Sequence, residues 1–363
     1  MRRRVASVIA LAAVFITTAS QPWRAPPLQS CTPVERAAIF AQVPDYMPSQ
    51  TAEFVRLTEG RFTVSSEPYD VRGVNYYPAL FPWRRFLTAD VDEVGREFAL
   101  LSDAGFNTLR LFLWHEALFQ CEADGAVPEP QGLLKLDALI RLAAEHGFRL
   151  ILTLHDLPDL DHYRLYDDHA HTRAQTAYLA QRYRDERAIL AWDLRNEGDI
   201  DYGSQATFGG RFPRDAVLDW LGGTAAIVRD HAPEHLVTAG WLYHAEDTAP
   251  YVDFISFHHW WDAADLERRI RELRTRTGLP ILLQEVGYST FERSEAEQAR
   301  LLGAALDTAE RAGLLGWMVW AAFDFPPDVT CFPAPCLSAL NAEHFFGLWS
   351  ADYRPKAAVD AVR

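Results

Sequence analysis

Cysteine, methionine and positive charge are all scarce in this 363-residue chain, which carries four Cys, three Met and 35 Lys plus Arg against 50 Asp plus Glu. The formal charge of −15 at pH 7 and a pI near 5.2 leave no basic face for a polyanion, so nucleic acid is excluded as a partner. No Gly-rich phosphate loop follows an early strand-like run, as a dinucleotide-binding sheet would require. No Cys and His stand at the close paired spacing of a zinc site, and neither a metal nor another cofactor is expected. Beyond the N-terminal leader no run is long or apolar enough to cross a bilayer. What the chain holds in quantity is aromatic: 11 Trp, 13 Tyr and 21 Phe within a 49% hydrophobic composition. Such a chain buries one large core or two modest ones, and disorder is ruled out.

The first twenty residues stand apart. Arg2, Arg3 and Arg4 precede an apolar run over residues 5–19 that ends in small residues and passes into a Pro-rich stretch. That is the charge, length and exit chemistry of a secretory signal, and about fifteen apolar residues fall short of the roughly 20 that span a membrane. The reading divides the chain into a signal peptide (1–20), an N-terminal extension without assignable role (21–53) and a catalytic barrel (54–363), in a secreted or periplasmic protein. An uncleaved anchor, or a lipid on Cys31 in the loose box Leu28-Gln29-Ser30-Cys31, is the competing expectation. Four cysteines suit an oxidising compartment, and Cys331–Cys336 with Cys31–Cys121 is the most economical of three pairings.

From Phe62 onward short β-branched runs alternate with amphipathic stretches, which marks βα units and a parallel sheet. Eight runs are expected as strands: 71–75, 108–113, 149–154, 189–194, 235–239, 252–257, 280–284 and 315–320. Helical patterns lie between them at 91–104, 133–146, 172–184, 214–231, 266–277 and 294–312, and the fifth crossover is short. Gly105, Gly147, Gly278 and Gly313 close four of the helices. Eight right-handed units in about 300 residues fit a single (β/α)8 TIM barrel in the α/β class, with an open doubly wound sheet as the alternative.

In a barrel, chemistry sits where strands run out at their C-terminal ends. There the sequence places Asn75, Tyr76 and Tyr77; Arg110 with Trp114 and His115; His155 and Asp156; Asn196 and Glu197; Trp241; His258 to Trp261; Glu285; and Trp320 with Asp324. Two carboxylates matter most. Glu197 ends the fourth run and Glu285 the seventh, on roughly opposite sides of the mouth, so two long side chains can converge. Hydrolysis of an acetal needs such a pair, one protonated to assist the leaving oxygen and one ionised to attack or stabilise the sugar carbon.

Trp192-Asp193-Leu194-Arg195-Asn196-Glu197 and Leu283-Gln284-Glu285-Val286-Gly287 resemble the segments that end strands four and seven in glycoside hydrolases of clan A, most closely family 5, the cellulase and mannanase group. Gly73 to Tyr77, Gly105 to Arg110 and Trp317 to Trp320 support the resemblance, which runs from about Phe54 to the C-terminus. It implies a retaining O-glycosyl hydrolase with Glu197 as general acid/base, Glu285 as nucleophile, Asn196 on the sugar 2-hydroxyl and Arg110 holding the nucleophile ionised. It also implies sugar contacts from His155, His258, Trp320, Asn75, Tyr76, Trp260 and Trp114, with Trp320 as the stacking platform. The partner implied is an oligo- or polysaccharide, a β-linked glucan, mannan or related glycan, and a monomer is expected.

The chain departs from that pattern in three places. Gly198 stands where many relatives have Pro, Gln284 where they often have Gly, and Trp260 where a Tyr hydroxyl would donate to the nucleophile. An indole N–H, an imidazole or Tyr288 is left to replace that donor. Two other functions compete: a catalytically inactive carbohydrate-binding barrel, and a metal-dependent barrel hydrolase using His155, Asp156, His258 and His259. The 320–349 segment is expected to wall the cleft.

Overall fold

The computed structural model describes residues 28–158, 160, 164–167, 170–203, 210–327, 329 and 340–363. The eight barrel strands are Val71–Asn75, Thr108–Phe112, Arg149–Thr153, Ile189–Asp193, Leu236–Thr238 continued as Gly240–Trp241, Ile255–His259, Ile281–Val286 and Gly316–Val319. All neighbouring pairs are parallel, and the ladder runs from Gly240–Trp241 round to Leu236–Thr238. Those two ends belong to one strand, interrupted at Ala239, so the sheet closes on itself and the (β/α)8 reading holds. Every residue of the second, third, fourth, sixth and seventh strands is buried, as expected where helices cover one face and the barrel interior the other.

The crossover helices follow the expected amphipathic periods. Val91–Asp103 buries Val94, Phe98 and Leu101, one stripe at helical spacing, and starts from Asp90, whose carboxylate accepts from the Asp92 and Glu93 amides. Gly105 and Gly147 take positive φ (+91° and +81°) just past their helices, a conformation in which any side chain would be strained. The short fifth crossover is a single turn, Ala245–Thr248. The sixth strand begins at Ile255 rather than 252, because Asp253 is still in a turn: its carboxylate accepts from the Val237 amide at 2.7 Å and its own amide donates to the Val237 carbonyl.

Residues ahead of the first strand seal the lower end. The antiparallel pieces Arg56–Thr58, Arg61–Val64 and Glu67–Pro68 bring Val55 and Phe62 against Ile151, Leu190, Phe254, Leu282, Leu315 and Met318, a cluster separate from the main core. With that end plugged, the opposite mouth is left for chemistry. The extension is tied down as well. Thr32 caps the helix Pro33–Phe40 in a reciprocal box with Glu35, and Glu186 accepts from the Tyr46 hydroxyl, the Ser49 amide and the Ser49 hydroxyl.

Cys31 and Cys121 form the expected disulfide across 90 residues. Cys331 and Cys336, like the leader, lie outside the described residues. No described helix is long and apolar enough to cross a membrane.

Candidate active site

Arg110, fully buried on the second strand, organises the mouth. Its Nε donates to Thr153 Oγ1 (2.8 Å) and Asp193 Oδ2 (2.9 Å), Nη2 to Asp193 Oδ2 (2.6 Å) and Asn196 Oδ1 (2.8 Å), and Nη1 to Asn75 Oδ1 (3.1 Å) and Glu285 Oε1. The guanidinium also lies 4.5 Å over the Phe112 ring. A planar cation with several fixed donors can join strands one, two, three, four and seven in this way, and an ammonium cannot. Asp193 and Thr153 are part of this hub and carried no role in the sequence reading. The signal was there: an acid inside an otherwise apolar strand needs a buried cation.

Asn196 is gripped at both ends, accepting from Arg110 and donating to Asp156 Oδ1 at 2.9 Å. Asp156 also accepts from the Tyr77 hydroxyl at 2.7 Å, and Tyr77 in turn accepts from the Trp114 indole at 3.0 Å. Glu197 follows with left-handed backbone (φ 48°) and its amide on the Gly240 carbonyl at 2.7 Å. Such a conformation is costly for a residue with a Cβ, and is found where packing enforces a functional geometry. The packing is visible at Gly198, where a Cβ would come within 2.7 Å of Arg195 Cγ and 3.0 Å of Trp241 Nε1. That explains the departure from Pro.

Glu197 and Glu285 meet across the mouth with His258 between them. Ligating atoms of the three lie within 4.8 Å of one another, and His258 Nδ1 is 2.9 Å from Glu197 Oε1 and 3.5 Å from Glu285 Oε2. Glu285 is buried, and Glu197 keeps a partly exposed carboxylate facing the opening. Gly287 lets the seventh strand press against the eighth, since a Cβ there would stand 2.1 Å from the Trp320 carbonyl oxygen.

The charges of this trio are interdependent. Burial pushes Glu285 up to about 7, against the pull of His258 and Arg110. Burial also works against charge on Glu197, but the His258 hydrogen bond and the positive charges of His258, Arg110 and Arg195 outweigh it and hold the carboxyl below its usual range. For His258 burial disfavours the cation, yet Glu285 and Glu197 together raise it. Three groups so placed hold protons in common rather than one each.

Other expected site residues sit differently. Asn75 faces the mouth, but its amide donates to the Gln284 and Val319 carbonyls and its oxygen accepts from Arg110, which makes it a brace. Tyr76 points the other way, into the helix layer, with its hydroxyl on Glu97 at 2.5 Å and its ring among Phe86, Phe98 and Phe323. Alternation past the strand end turns Tyr77 inward instead. His155 is likewise turned away: its ring packs on His115 (4.2 Å) and Trp220 (5.6 Å), burial keeps it neutral, and Asp156 takes the inward position. With His155 there and His259 Nε2 on the Asp262 carbonyl at 3.1 Å, the four residues of the metal-hydrolase alternative do not converge.

Trp114 spends its N–H on Tyr77, and Arg84 lies over its ring at 5.5 Å. Trp241 is buried beneath Gly198. Trp260 contacts Phe346 edge-on at 5.6 Å, and Tyr288 donates to the Trp261 carbonyl, so neither supplies the donor expected near Glu285; the imidazole of His258 is the group in that place. Asp324 is bound to Lys356 at 2.6 Å.

Trp320 ends the eighth strand edge-on to Phe112 at 5.9 Å, and its indole donates to Glu343, a residue absent from the sequence reading. Glu343 lies on the single turn Ala342–Phe345, which is fastened by Ser289 Oγ to the Ala342 carbonyl (2.7 Å) and by the Thr290 amide to the Phe345 carbonyl (2.9 Å). Glu343 itself is exposed at the edge of the cleft, and its carboxyl is raised by the protein crowded round it and by the charges of Glu285 and Glu197. The 320–349 segment thus walls the cleft in its described part. A cavity that reaches His258 is lined by Tyr243, His259, Trp261, Arg268 and Arg269.

A family model described as cellulase, glycosyl hydrolase family 5, matches residues 83–324. Among curated relatives, a probable mannan endo-1,4-β-mannosidase F of Neosartorya fischeri is 26% identical over 233 residues, covering 53% of this chain and 46% of that one. Mannan endo-1,4-β-mannosidase A of Hypocrea jecorina is 25% identical over 237 residues, covering 56% and 48%. The chain spans about half the length of the curated relatives it matches. In structure it is similar to GH5_18 from Streptomyces cattleya in complex with GlcNAc (TM-score 0.66, 20% identity, 81% of this chain and 79% of that one). It is also similar to an endo-1,4-β-mannanase from Rhizomucor miehei (TM-score 0.62, 18% identity, 85% and 99%). These likenesses bear on the fold.

Proposed function

The chain belongs to glycosyl hydrolase family 5, and on that premise we propose that it is an exported retaining β-glycoside hydrolase whose substrate is a β-1,4-linked mannan or manno-oligosaccharide. The observation that carries the reading is the meeting of Glu197 and Glu285 at a separation within 4.8 Å, around one imidazole and one guanidinium. Carboxyl groups about 5–5.5 Å apart leave no room for an attacking water between them, which favours a covalent glycosyl intermediate over direct inversion.

In the first step Glu285 attacks the anomeric carbon, the bond to the leaving oxygen breaks, and Glu197 delivers a proton to that oxygen. In the second step Glu197 takes a proton from water as the water attacks the same carbon and Glu285 departs as carboxylate. Arg110 keeps the nucleophile aligned and stabilises its anion between steps. Asn196, fixed by Arg110 and Asp156, is placed for the sugar 2-hydroxyl, and Trp320 offers an apolar face beneath the ring. Tyr243, near Glu197, and Trp261 next to it line the leaving-group side.

The choice of mannan rests on the names of the curated relatives. Export rests on the leader chemistry of residues 1–20 and on the Cys31–Cys121 disulfide, a bond that persists in oxidising compartments. The test is product analysis over a panel of β-mannans, β-glucans and aryl β-glycosides, with the anomer of the first product read by NMR. Release of β-anomeric mannose or manno-oligosaccharides is expected. Sugar binding without turnover on the whole panel would refute the hydrolase reading, and first products of the α-anomer would refute retention.

A further inference from the structure

The trio at the mouth has a fourth member that the catalytic roles leave unused. Gln284, immediately before the nucleophile, is fully buried, and its Oε1 lies 3.3 Å from His258 Nε2. Room for it exists because the fifth strand has glycine opposite: a Cβ on Gly240 would fall 1.7 Å from Gln284 Oε1 and 2.7 Å from His258 Nε2. The other amide atom, Nε2, is buried with no hydrogen-bond partner in the described structure. A buried amide that leaves one end unpaired is costly, so the contact at its other end has to justify its place.

From this geometry we infer that Gln284 is a positioning residue that fixes which nitrogen of His258 bears its proton, keeping Nδ1–H aimed at Glu197 and Glu285 in both charge states of the ring. The inference rests on the hydrolase reading of the site. A nitrogen that faces two carboxylates must carry hydrogen to be attractive. When His258 is an imidazolium, the second N–H donates to the Gln284 oxygen. When it is neutral, the amide turned over presents its NH2 group to the bare Nε2, and the hydrogen again remains on Nδ1. An apolar side chain at 284 could serve neither state.

The charged groups facing the ring are Glu197 after strand four, Glu285 on strand seven and Arg110 on strand two; strand five contributes only Gly240. Glu285 receives a hydrogen bond from Arg110 and lies within reach of His258, while the Tyr288 hydroxyl is given to the Trp261 carbonyl. His258 is thus the hydrogen-bearing group shared by both catalytic carboxylates, and its orientation governs both.

The experiment compares wild type with Gln284→Leu and Gln284→Met in two measurements. The first is the pH profile of kcat/KM on an aryl β-mannoside. The second is the nitrogen NMR titration of His258 in the substrate-free protein, assigned by its loss in His258→Asn. Both charge states lose a partner, but the imidazolium loses the stronger, charge-assisted bond, so the alkaline limb and the His258 titration should both move to lower pH by about one unit, the excess of a charge-assisted over a neutral hydrogen bond. Gln284→Glu should move both upward. Lower activity with limb and titration unmoved would show a merely structural role and overturn the inference, as would wild-type behaviour in every variant. A wild-type chain without activity refutes the hydrolase reading, while the titration still decides the role of Gln284.

Discussion

Substituting Arg110 by Lys keeps the charge and removes the fork, and the consequence can be worked from the contacts. The guanidinium serves six of them, on Thr153, Asp193 (two), Asn75, Asn196 and Glu285. An ammonium has three hydrogens radiating from one point, so at least three of the six go unserved, all in a site without solvent access. Breaking a buried charge pair costs about 3–5 kcal/mol, and a retained positive charge places Arg110→Lys at the lower end, about 3 kcal/mol. The functional loss has a separate origin. Asn196 loses the partner of its oxygen and Glu285 its aligned donor, and removal of one preorganised group typically lowers turnover about 10²–10³-fold. Urea denaturation and kcat/KM on an aryl β-mannoside read the two effects. Arg271→Lys, in an ion pair with Glu267 whose arginine side chain is 63% exposed, is the control and should stay within about 0.5 kcal/mol of wild type with unchanged kinetics. If Arg110→Lys unfolds within about 1 kcal/mol of wild type and retains kcat/KM within about threefold, the hub has been misread.

Glu285→Ala should abolish turnover on every substrate, while Glu197→Ala should spare aryl glycosides with good leaving groups and recover with azide; equal losses across leaving groups would contradict the assigned role. Because Glu197 is held below its usual range and Glu285 is pushed up to about 7, the pair keeps one proton between those limits; in the free enzyme it rests mainly on Glu285, and turnover runs through the smaller fraction in which it has moved to Glu197. The rate should therefore fall as pH rises through about 7, where the shared proton and with it the general acid is lost, and fall again well into the acid range, where the nucleophile becomes protonated. A rate still rising between pH 7 and 9 would be incompatible with this. Gly198→Ala should destabilise the chain by about 1–3 kcal/mol, since the new methyl would overlap Arg195 and Trp241; a melting temperature equal to wild type would show that the loop yields. Glu343→Ala should lower kcat/KM by about 10–100-fold, the worth of the charged hydrogen bond that holds the Trp320 indole, and by the same factor for every aryl leaving group; a leaving-group dependence would assign Glu343 to proton transfer.

The eight strands, their order and the meeting of Glu197 with Glu285 were legible in the chain because each depends on local pattern. A β-branched run buried on both sides needs no distant information to be recognised, nor does an amphipathic stretch closed by Gly105 or Gly147. Closure of eight such units then carries the ends of strands four and seven to one mouth. Which side chains enter that mouth was decided elsewhere. Tyr76 and Tyr77 are adjacent aromatics past a strand end, and only the packing of Glu97, Phe86 and Phe98 behind the sheet settles that the first turns out and the second in. His155 and Asp156 exchange places in the same way, once His115 and Trp220 offer a pocket for the ring. Glu343 belongs to an aperiodic segment whose position over Trp320 is set by hydrogen bonds from Ser289 and Thr290, residues some fifty positions away. The departures at Gly198 and Gln284 became intelligible only with their neighbours in view, because the space around a residue is made by strands that the chain reaches later. Sequence determined the fold and which two acids the barrel would bring together through short-range pattern; tertiary structure assigned their neighbours, because burial and hydrogen-bond partners are properties of the closed barrel.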